Sequence, residues 1–237
     1  MRNGWIALAL VGCASPVLAQ DEVPTVKTAD YEFGYAYPAA AGRVPGLKAW
    51  LEADRARLRA KTMRDGAAAR REAAKSGFPY RRYSYVQSWK LVTQTPRFVS
   101  LSGDSYDYTG GAHGQPASYG LVWDKATGRP LQPRALFTSE AALQSVTRTS
   151  YCARLKAEQM RRTQGTVSSM NSCPSIKELT LLLGSSNGRA IDRIGLIADP
   201  YVAGSYAEGT YEVTLPVTPA ILKTVKPAYR AAFAVRP

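Results

Sequence analysis

The stretch LLLGSSNGRAIDRIGLIA, residues 181–198, decides between two fold classes. Residues 184–188 form a literal G-x-S-x-G, which α/β-hydrolases use to hold a nucleophilic serine between a strand and a helix. In those enzymes the histidine of the triad follows the serine along the chain. Here the only histidine is His113, which precedes Ser186. The hydrolase fold is therefore disfavoured, although a cryptic serine hydrolase that uses Ser186 and His113 stays an alternative.

The same stretch carries a second signal, because Asn187 is followed by Gly188. An Asn-Gly pair between apolar runs is the strongest short-range indicator of a β-hairpin. We therefore predict two paired strands, over 178–183 and 191–198, with Ser186 in the connecting turn.

Helices and strands alternate irregularly over the rest of the chain. The pattern predicts strands at 31–37, 83–91, 98–101, 119–123 and 210–215, and helices that begin near Pro45, Ser139 and Pro219. Gly66 weakens the first helix, so we expect a second helical piece over 67–74. This order is neither a strict βα alternation nor an all-β series. It predicts an α+β fold with mainly antiparallel sheets and packed helices.

The N-terminus has the features of an export signal, because Arg2 precedes a short apolar run and a region of small residues. Two cleavage sites compete. Cleavage after Ala19 removes residues 1–19 as a signal peptide, whereas a lipobox ending at Cys13 removes residues 1–12 and attaches a lipid to that cysteine. We expect a periplasmic protein or an envelope-anchored lipoprotein. Membrane contact is expected only through such an anchor, because no later stretch approaches the ~18 apolar residues that a span needs.

Export also determines how the other two cysteines are interpreted. Cys152 and Cys173 most simply pair with each other in an oxidising compartment. A bond that closes a loop of about 20 residues stabilises the fold by roughly 3 kcal/mol, because it restricts the unfolded chain.

The chain is strongly basic, with a formal net charge of +13. Residues 43–82 alone contain twelve Lys/Arg and four Asp/Glu. Such a surface attracts anions, which in the cell envelope are lipid phosphates and the carboxylates of peptidoglycan. The expected compartment excludes nucleic acid as a partner. A solvated basic helix with no partner is the alternative interpretation.

The segment DYTGGAHGQ, residues 107–115, surrounds His113 with glycines. A metal site that recruits Asp104 and Asp107 is chemically possible, but no paired-ligand motif supports it. A lone general base at His113 lacks an accompanying nucleophile or cofactor motif. Glycines accept a positive φ, which suits a sharp connection between strands and can also turn backbone N–H groups toward an anion. We predict a turn that can face a ligand, no metal, no cofactor and no catalysis.

Two motifs resemble the RsiV/PdaC-like extracytoplasmic family. The first covers 108–114, 121–123, 127–131 and 135–137, and matches the run "Y-x-G-G-A-H … tGk.l … lF". The second covers 199–209 and 211–215, and is similar to the C-terminal signature "dpY.iapya.G...v.ip". The resemblance implies an α+β fold with two modules of similar size, a PdaC-like module over 28–128 and an RsiV-like module over 129–237.

Family members are envelope proteins, and this chain differs from both namesakes. RsiV is a membrane anti-sigma factor whose ectodomain binds lysozyme, and PdaC is a peptidoglycan deacetylase with the N-terminal module as an accessory. We find neither a transmembrane helix with a cytoplasmic sigma-binding segment nor the deacetylase domain with its metal-binding histidines. We therefore expect recognition, and neither signalling nor deacetylation, to carry over.

The resemblance also suggests which residues face a ligand. By matching position, the candidates are Tyr108, Gly110, Gly111, His113, Gly114, Asp199, Pro200, Tyr201 and Tyr206. We expect an exported, non-catalytic envelope protein that binds cell-wall glycan (peptidoglycan) or another anionic envelope component. Lysozyme is the second candidate partner. It ranks below the anionic components because many lysozymes are basic, and a basic protein repels them at long range.

Overall fold

The computed structural model describes residues 23–166 and 169–236 as an α+β fold built on two sheets. The predicted α+β class with mainly antiparallel pairing is confirmed. Both predicted cleavage sites and Cys13 lie outside the described residues. None of the helices in this part of the chain is long and apolar enough to cross a membrane.

The first sheet has six strands in the order of the chain. They are β1 (Thr25–Lys27), β2 (Tyr31–Ala36), β3 (Tyr83–Gln94), β4 (Phe98–Tyr108), β5 (Gln115–Asp124) and β6 (Arg129–Leu131). Only β2 and β3 are parallel among these described neighbours. Parallel neighbours need a long crossover, and here it consists of α1 (Ala39–Gly42) and α2 (Pro45–Ser76).

The helix α2 is continuous, so the predicted interruption at Gly66 is wrong. A Cβ at position 66 would lie 2.5 Å from the carbonyl oxygen of Asp30. Gly66 is needed because the helix passes close to the backbone that leads into β2. The glycine does not break the helix. The helix ends at Gly77, which has a φ of 74° and acts as the C-cap.

The second sheet has three antiparallel strands. They are β7 (Thr180–Gly184), β8 (Arg193–Ala198) and β9 (Tyr211–Pro216). Three helices complete this part of the fold: α3 (Glu140–Arg162), α4 (Pro219–Thr224) and α5 (Pro227–Arg230). The starts of α3 and α4 are as predicted, because the side chains of Ser139 and Thr218 accept hydrogen bonds from the backbone of the first turns.

The predicted hairpin of β7 and β8 is confirmed, but its connection is wider than a tight Asn-Gly turn. The pairing ends with Gly184 opposite Arg193, so residues 185–192 form the loop. The Ser185 hydroxyl accepts from the backbone N–H of Gly188, and the Asp192 carboxylate accepts from the N–H of Ser186 at 2.9 Å. These side-chain bonds compete with strand pairing and open the loop.

The predicted disulfide is present and joins α3 to the segment before β7. Cys152 and Cys173 are bonded, with their Cα atoms 5.5 Å apart.

The first sheet is covered on both faces. On one face, Leu47 and Leu51 of α2 pack with Leu101 and Trp123. On the other face, residues from β4 and β5 join the core of the second sheet. This second core includes Phe98, Val122, Leu136, Leu155, Leu183 and Leu215.

Candidate ligand-binding site

A cleft of about 810 Å³ opens between α2 and the first sheet. The helix forms one wall, strands β3 and β5 form the floor, and residues 130–134 and 179–181 close the far side. Its aromatic lining consists of Trp50, Tyr83, Tyr85, Trp89 and Tyr119. Its charged lining consists of Asp54, Asp65, Asp107, Arg57, Lys61 and Arg134. These charges balance, so the cleft itself is close to neutral although the chain is basic.

Three of the aromatic rings contact one another in series. Trp50 meets Trp89 edge to face with ring centroids 6.3 Å apart, and Trp89 contacts Tyr119 at 6.5 Å. Trp89 packs on Gly103, where an added Cβ would come within 2.8 Å of the indole ring. Tyr119 remains 40% exposed. We call these three side chains the aromatic wall. Trp89 is only 7% exposed, so Trp50 and Tyr119 supply most of the ring surface that faces the cleft.

A hydrogen-bond chain holds the centre of this wall in place. The indole N–H of Trp89 donates to the Tyr35 hydroxyl at 2.9 Å, and that hydroxyl donates to Asp54 at 3.0 Å. Arg57 donates to the other carboxylate oxygen of Asp54 at 2.5 Å. Burial, with the negative charge of Asp54, raises the pKa of Tyr35 far above its usual range. The phenol therefore stays protonated and remains a donor.

The floor adds polar groups that suit hydroxylated ligands. The Tyr85 hydroxyl donates to the buried Gln87 side chain at 2.6 Å. Burial raises the pKa of the Asp107 carboxyl, an effect that Lys61 opposes and Asp65 adds to. The cleft thus combines ring faces with amide, hydroxyl and carboxyl groups, which is the usual composition of a small-molecule site.

The two predicted binding segments, far apart in the chain, lie side by side in the structure. The His113 ring of the β4–β5 loop contacts Tyr206 with ring centroids 4.4 Å apart and ring planes tilted by 32°, and Tyr206 contacts Tyr201 at 5.7 Å. The Tyr206 hydroxyl also donates to the carbonyl oxygen of Gly114 at 3.4 Å. We call Tyr201, Tyr206 and His113 the ring ladder.

The β4–β5 loop is a turn built on glycine, as the sequence predicts. Gly110 and Gly111 both have a φ of 94°, which side chains rarely adopt. The carbonyl oxygen of Gly111 accepts hydrogen bonds from the Tyr108 hydroxyl at 3.2 Å and from Arg81 at 2.8 Å. These bonds hold the loop in one conformation.

His113 and Gly114 have different surroundings. The imidazole is exposed, and its Nδ1 lies 3.0 Å from the carbonyl oxygen of Gly114. Gly114 is buried and donates its N–H to the Tyr106 hydroxyl at 2.9 Å, and a Cβ there would overlap the tyrosine ring. Gly114 is therefore required for close packing.

The loop before β9 presents Tyr201 in an unusual conformation. The Asp199 carboxylate accepts from the backbone N–H of Ser118 at 3.0 Å and from its hydroxyl at 2.6 Å. After Pro200, Tyr201 has a φ of 72° and donates its N–H to Gly204 at 3.0 Å. A bulky residue at positive φ is rare, and the Tyr201 side chain is 53% exposed.

Glu208 anchors the turn that carries Tyr206. Its carboxylate accepts from the Tyr211 hydroxyl at 2.5 Å, from the Ser205 N–H at 2.8 Å and from Asn171 at 2.7 Å. These bonds, that of Tyr211 foremost, lower the pKa of Glu208 to about 2. The turn is therefore held by a carboxylate that stays ionised at neutral pH.

The residues weighed for a metal site are not brought together. Asp104 bonds to Lys90 at 3.1 Å, while Asp107 faces the cleft and His113 lies in the ring ladder. Within residues 23–166 and 169–236, no three His, Cys, Asp or Glu side chains are placed to hold a metal ion.

The residues weighed for a serine hydrolase are not brought together either. The Ser186 hydroxyl donates to Asp192 within its own loop. That loop lies near Gln94, because a Cβ at Gly188 would be 3.6 Å from its carbonyl oxygen. Gln94 is at the opposite end of β3 from the His113 loop, a separation of ~30 Å at about 3.4 Å per residue.

Sequence reasoning missed the cleft, although one signal for it was available. The alternation in β3 places Tyr83, Tyr85, Gln87 and Trp89 on one face. An aromatic face that α2 covers only in part leaves room for a ligand. How far the helix covers the sheet is a tertiary property that the alternation does not report.

Comparisons with known proteins find a matching family model and similar solved structures. The family model described as Deacetylase PdaC matches residues 25–115. A crystal structure of a DUF3298 family protein from Pseudomonas aeruginosa PAO1 is 19% identical with a TM-score of 0.52, over 91% of this chain and 99% of that chain. A DUF3298 family member from Bacteroides fragilis NCTC 9343 is 16% identical with a TM-score of 0.47, over 78% and 72%. No curated protein matches the sequence. Residues 25–115 are thus PdaC-like, and the α+β fold is shared with the DUF3298 family protein from Pseudomonas aeruginosa.

Proposed function

We propose that this is an exported, non-catalytic envelope protein that binds cell-wall glycan in the cleft between α2 and the first sheet. The observation that carries the proposal is the aromatic wall of Trp50, Trp89 and Tyr119 beside amide, hydroxyl and carboxyl groups. Sugar rings present C–H faces that pack on aromatic rings, and hydroxyls that bond to such polar groups. The RsiV-like interpretation of residues 129–237 is also a proposal. It is supported by the 199–209 motif, whose Tyr201 and Tyr206 lie in the ring ladder and outside the lining of the cleft.

The charge distribution separates two contributions to wall binding. The cleft is close to neutral, so its contact with an uncharged sugar chain depends little on salt. The excess positive charge of residues 43–82 attracts the carboxylates of the wall. This second contribution is screened as the ionic strength rises.

The non-catalytic assignment follows the PdaC-like segment. In the deacetylase the N-terminal module is an accessory, and the metal-binding histidines belong to a separate domain. This chain contains one histidine, and it lies in the ring ladder.

Sedimentation with purified peptidoglycan tests the proposal. Purified protein should pellet with the wall at low salt and less at high salt, and Trp50→Ala should weaken pelleting at both. The loss of one stacked ring, about 1 kcal/mol, corresponds to roughly a fivefold lower affinity. The matched control is Phe78→Ala, which removes an aromatic ring that is 73% exposed, just after α2, and does not line the cleft. Absence of pelleting at low salt, or unchanged pelleting of Trp50→Ala, would contradict glycan binding in the cleft.

Lysozyme binding is tested with the same protein preparation. Mixing with lysozyme should leave muramidase activity on dispersed walls unchanged once the competition for wall sites is accounted for. A stoichiometric complex in gel filtration would instead favour the lysozyme-binding alternative.

A further inference from the structure

We infer that the cleft binds a wall fragment that carries a primary ammonium group, and that the Asp107 carboxylate in the lining of the cleft receives this group. This inference rests on the proposed function and names its ligand more closely. An amino sugar that lacks its N-acetyl group carries such an ammonium, and so does a stem peptide with a free amine.

The charges that line the cleft are paired, with one exception. Each described cation of the lining has a carboxylate partner: Arg57 with Asp54 at 2.5 Å, Lys61 with Asp65 at 2.7 Å and Arg134 with Glu140 at 2.9 Å. The Asp107 carboxylate forms no hydrogen bond or ion pair with any residue in 23–166 or 169–236. One negative charge in the cleft is therefore without a partner, and a cationic ligand can supply it.

The burial of Asp107 favours such a ligand. The side chain is half-buried, and burial raises the pKa of its carboxyl, an effect that Lys61 opposes and Asp65 adds to. Desolvation thus disfavours the ionised carboxylate, while the ammonium of Lys61 is already bonded to Asp65. A ligand ammonium that donates to Asp107 would replace the hydrogen bonds that the carboxylate loses to burial.

The aromatic rings beside Asp107 suit a cation as well. Asp107 lies directly opposite Tyr85 in the pairing of β3 with β4, so the two side chains share one face of the sheet, with Cβ atoms about 5 Å apart. The Tyr85 hydroxyl donates to Gln87 at 2.6 Å, which leaves the carboxylate open to a ligand. Ring faces attract cations, so the ring and the carboxylate favour the same kind of group.

A free amine and an N-acetyl group differ in what they offer to Asp107. An ammonium is a charged donor with three N–H groups, whereas an N-acetyl group is neutral and offers one amide N–H. The formal net charge of +13 acts in the opposite direction, because it repels a cationic ligand at long range. A preference for the amine form would therefore come from a local carboxylate and not from the overall charge.

The test compares matched oligosaccharides by calorimetry with the full chain. A tetrasaccharide of glucosamine and one of N-acetylglucosamine are titrated at about pH 6, where a carboxyl is ionised and an amine is protonated. We expect the glucosamine form to bind about tenfold more tightly, as expected for one hydrogen-bonded charge pair. A wall disaccharide with its stem peptide, with the peptide amine free or acetylated, forms the second matched pair and identifies a stem-peptide source.

Two variants show whether Asp107 is responsible. Asp107→Asn keeps the shape of the side chain and should abolish the preference for the amine form, while the affinity for the N-acetylated form stays unchanged. Asp104→Asn is the matched control, because Asp104 lies on the same strand, bonds to Lys90 and does not line the cleft. It should preserve the preference. The unchanged affinity for the N-acetylated form also shows that Asp107→Asn is folded.

The outcomes separate this inference from the proposed function. If neither matched pair shows a preference for the amine form, or if Asp107→Asn keeps that preference, the ammonium site is refuted. Glycan binding in the cleft still stands in that case, provided that Trp50→Ala weakens binding of the oligosaccharides. If no fragment binds and the protein does not pellet with the wall, both proposals fall.

Discussion

The buried ion pair between Arg97 and Asp124 should be among the most sensitive single contacts in the fold. The Asp124 side chain is 1% exposed, and Arg97 reaches its two carboxylate oxygens at 3.4 and 3.3 Å. The same guanidinium donates to the Ala228 carbonyl oxygen at 2.6 Å and lies 5.2 and 4.9 Å from the rings of Phe98 and Tyr229. Arg97 therefore links the first sheet to α5.

Arg97→Met keeps the aliphatic bulk and removes the charge. Leaving a buried carboxylate unpaired costs roughly 3–5 kcal/mol. Asp124 still accepts from the N–H of Ala126 at 3.1 Å, so we take the lower end, about 3 kcal/mol. Loss of the cation–π contacts adds ~1 kcal/mol. We expect the free energy of unfolding to fall by about 4 kcal/mol in urea titrations followed by tryptophan fluorescence.

Two further variants test the reasoning. Lys90→Met breaks an ion pair whose side chains are 64% and 48% exposed, and it should lower the free energy of unfolding by less than about 1 kcal/mol. Adding Asp124→Asn to Arg97→Met removes the buried charge and should recover about 2 kcal/mol. An Arg97→Met protein within about 1 kcal/mol of the wild type would refute the argument, as would a double variant less stable than the single one.

Three other perturbations follow from the structure. Replacing Cys152 and Cys173 by serine opens a loop with a sequence separation of 21. The free energy of unfolding should fall by about 3 kcal/mol in denaturant titrations. A fall below about 1 kcal/mol would show that the unfolded chain is restrained in another way. Because the pKa of Glu208 is lowered to about 2 on folding, its carboxylate contributes stability above pH ~4.3, and this contribution is lost as the pH falls toward 2. Glu208→Gln should therefore flatten the decline of melting temperature between about pH 5 and pH 2, and an unchanged slope would contradict the assigned hydrogen bonds. Gly103→Val places a side chain against the ring of Trp89. The variant should therefore change the tryptophan fluorescence spectrum and bind peptidoglycan fragments more weakly. Unchanged binding would contradict the role of the aromatic wall.

Sequence reasoning reached the fold through local patterns. The Asn-Gly signal after Gly184 and the alternation in β2 and β3 are properties of neighbouring residues, and the structure has strands in those places. Gly66 was misinterpreted because helix propensity alone cannot show that the backbone of Asp30 approaches the helix. The glycines of residues 107–115 and a family resemblance both indicated the first binding segment, whereas only the resemblance indicated the segment 199–209. The contact between the two segments through His113 and Tyr206 was not visible in either motif.

The sequence by itself determined the α+β class, the helix starts at Ser139 and Thr218, the disulfide and the excess of positive charge, because each depends on residue type and short spacing. Only the tertiary structure decided where a ligand can bind. The aromatic wall joins α2 to β3 and β5, and the ring ladder joins residues more than ninety positions apart, as the contact of His113 with Tyr206 shows. Such contacts depend on how helices and strands cross in space. That crossing is set by the packing of two cores on the two faces of the first sheet, and the order of residues within one element does not report it.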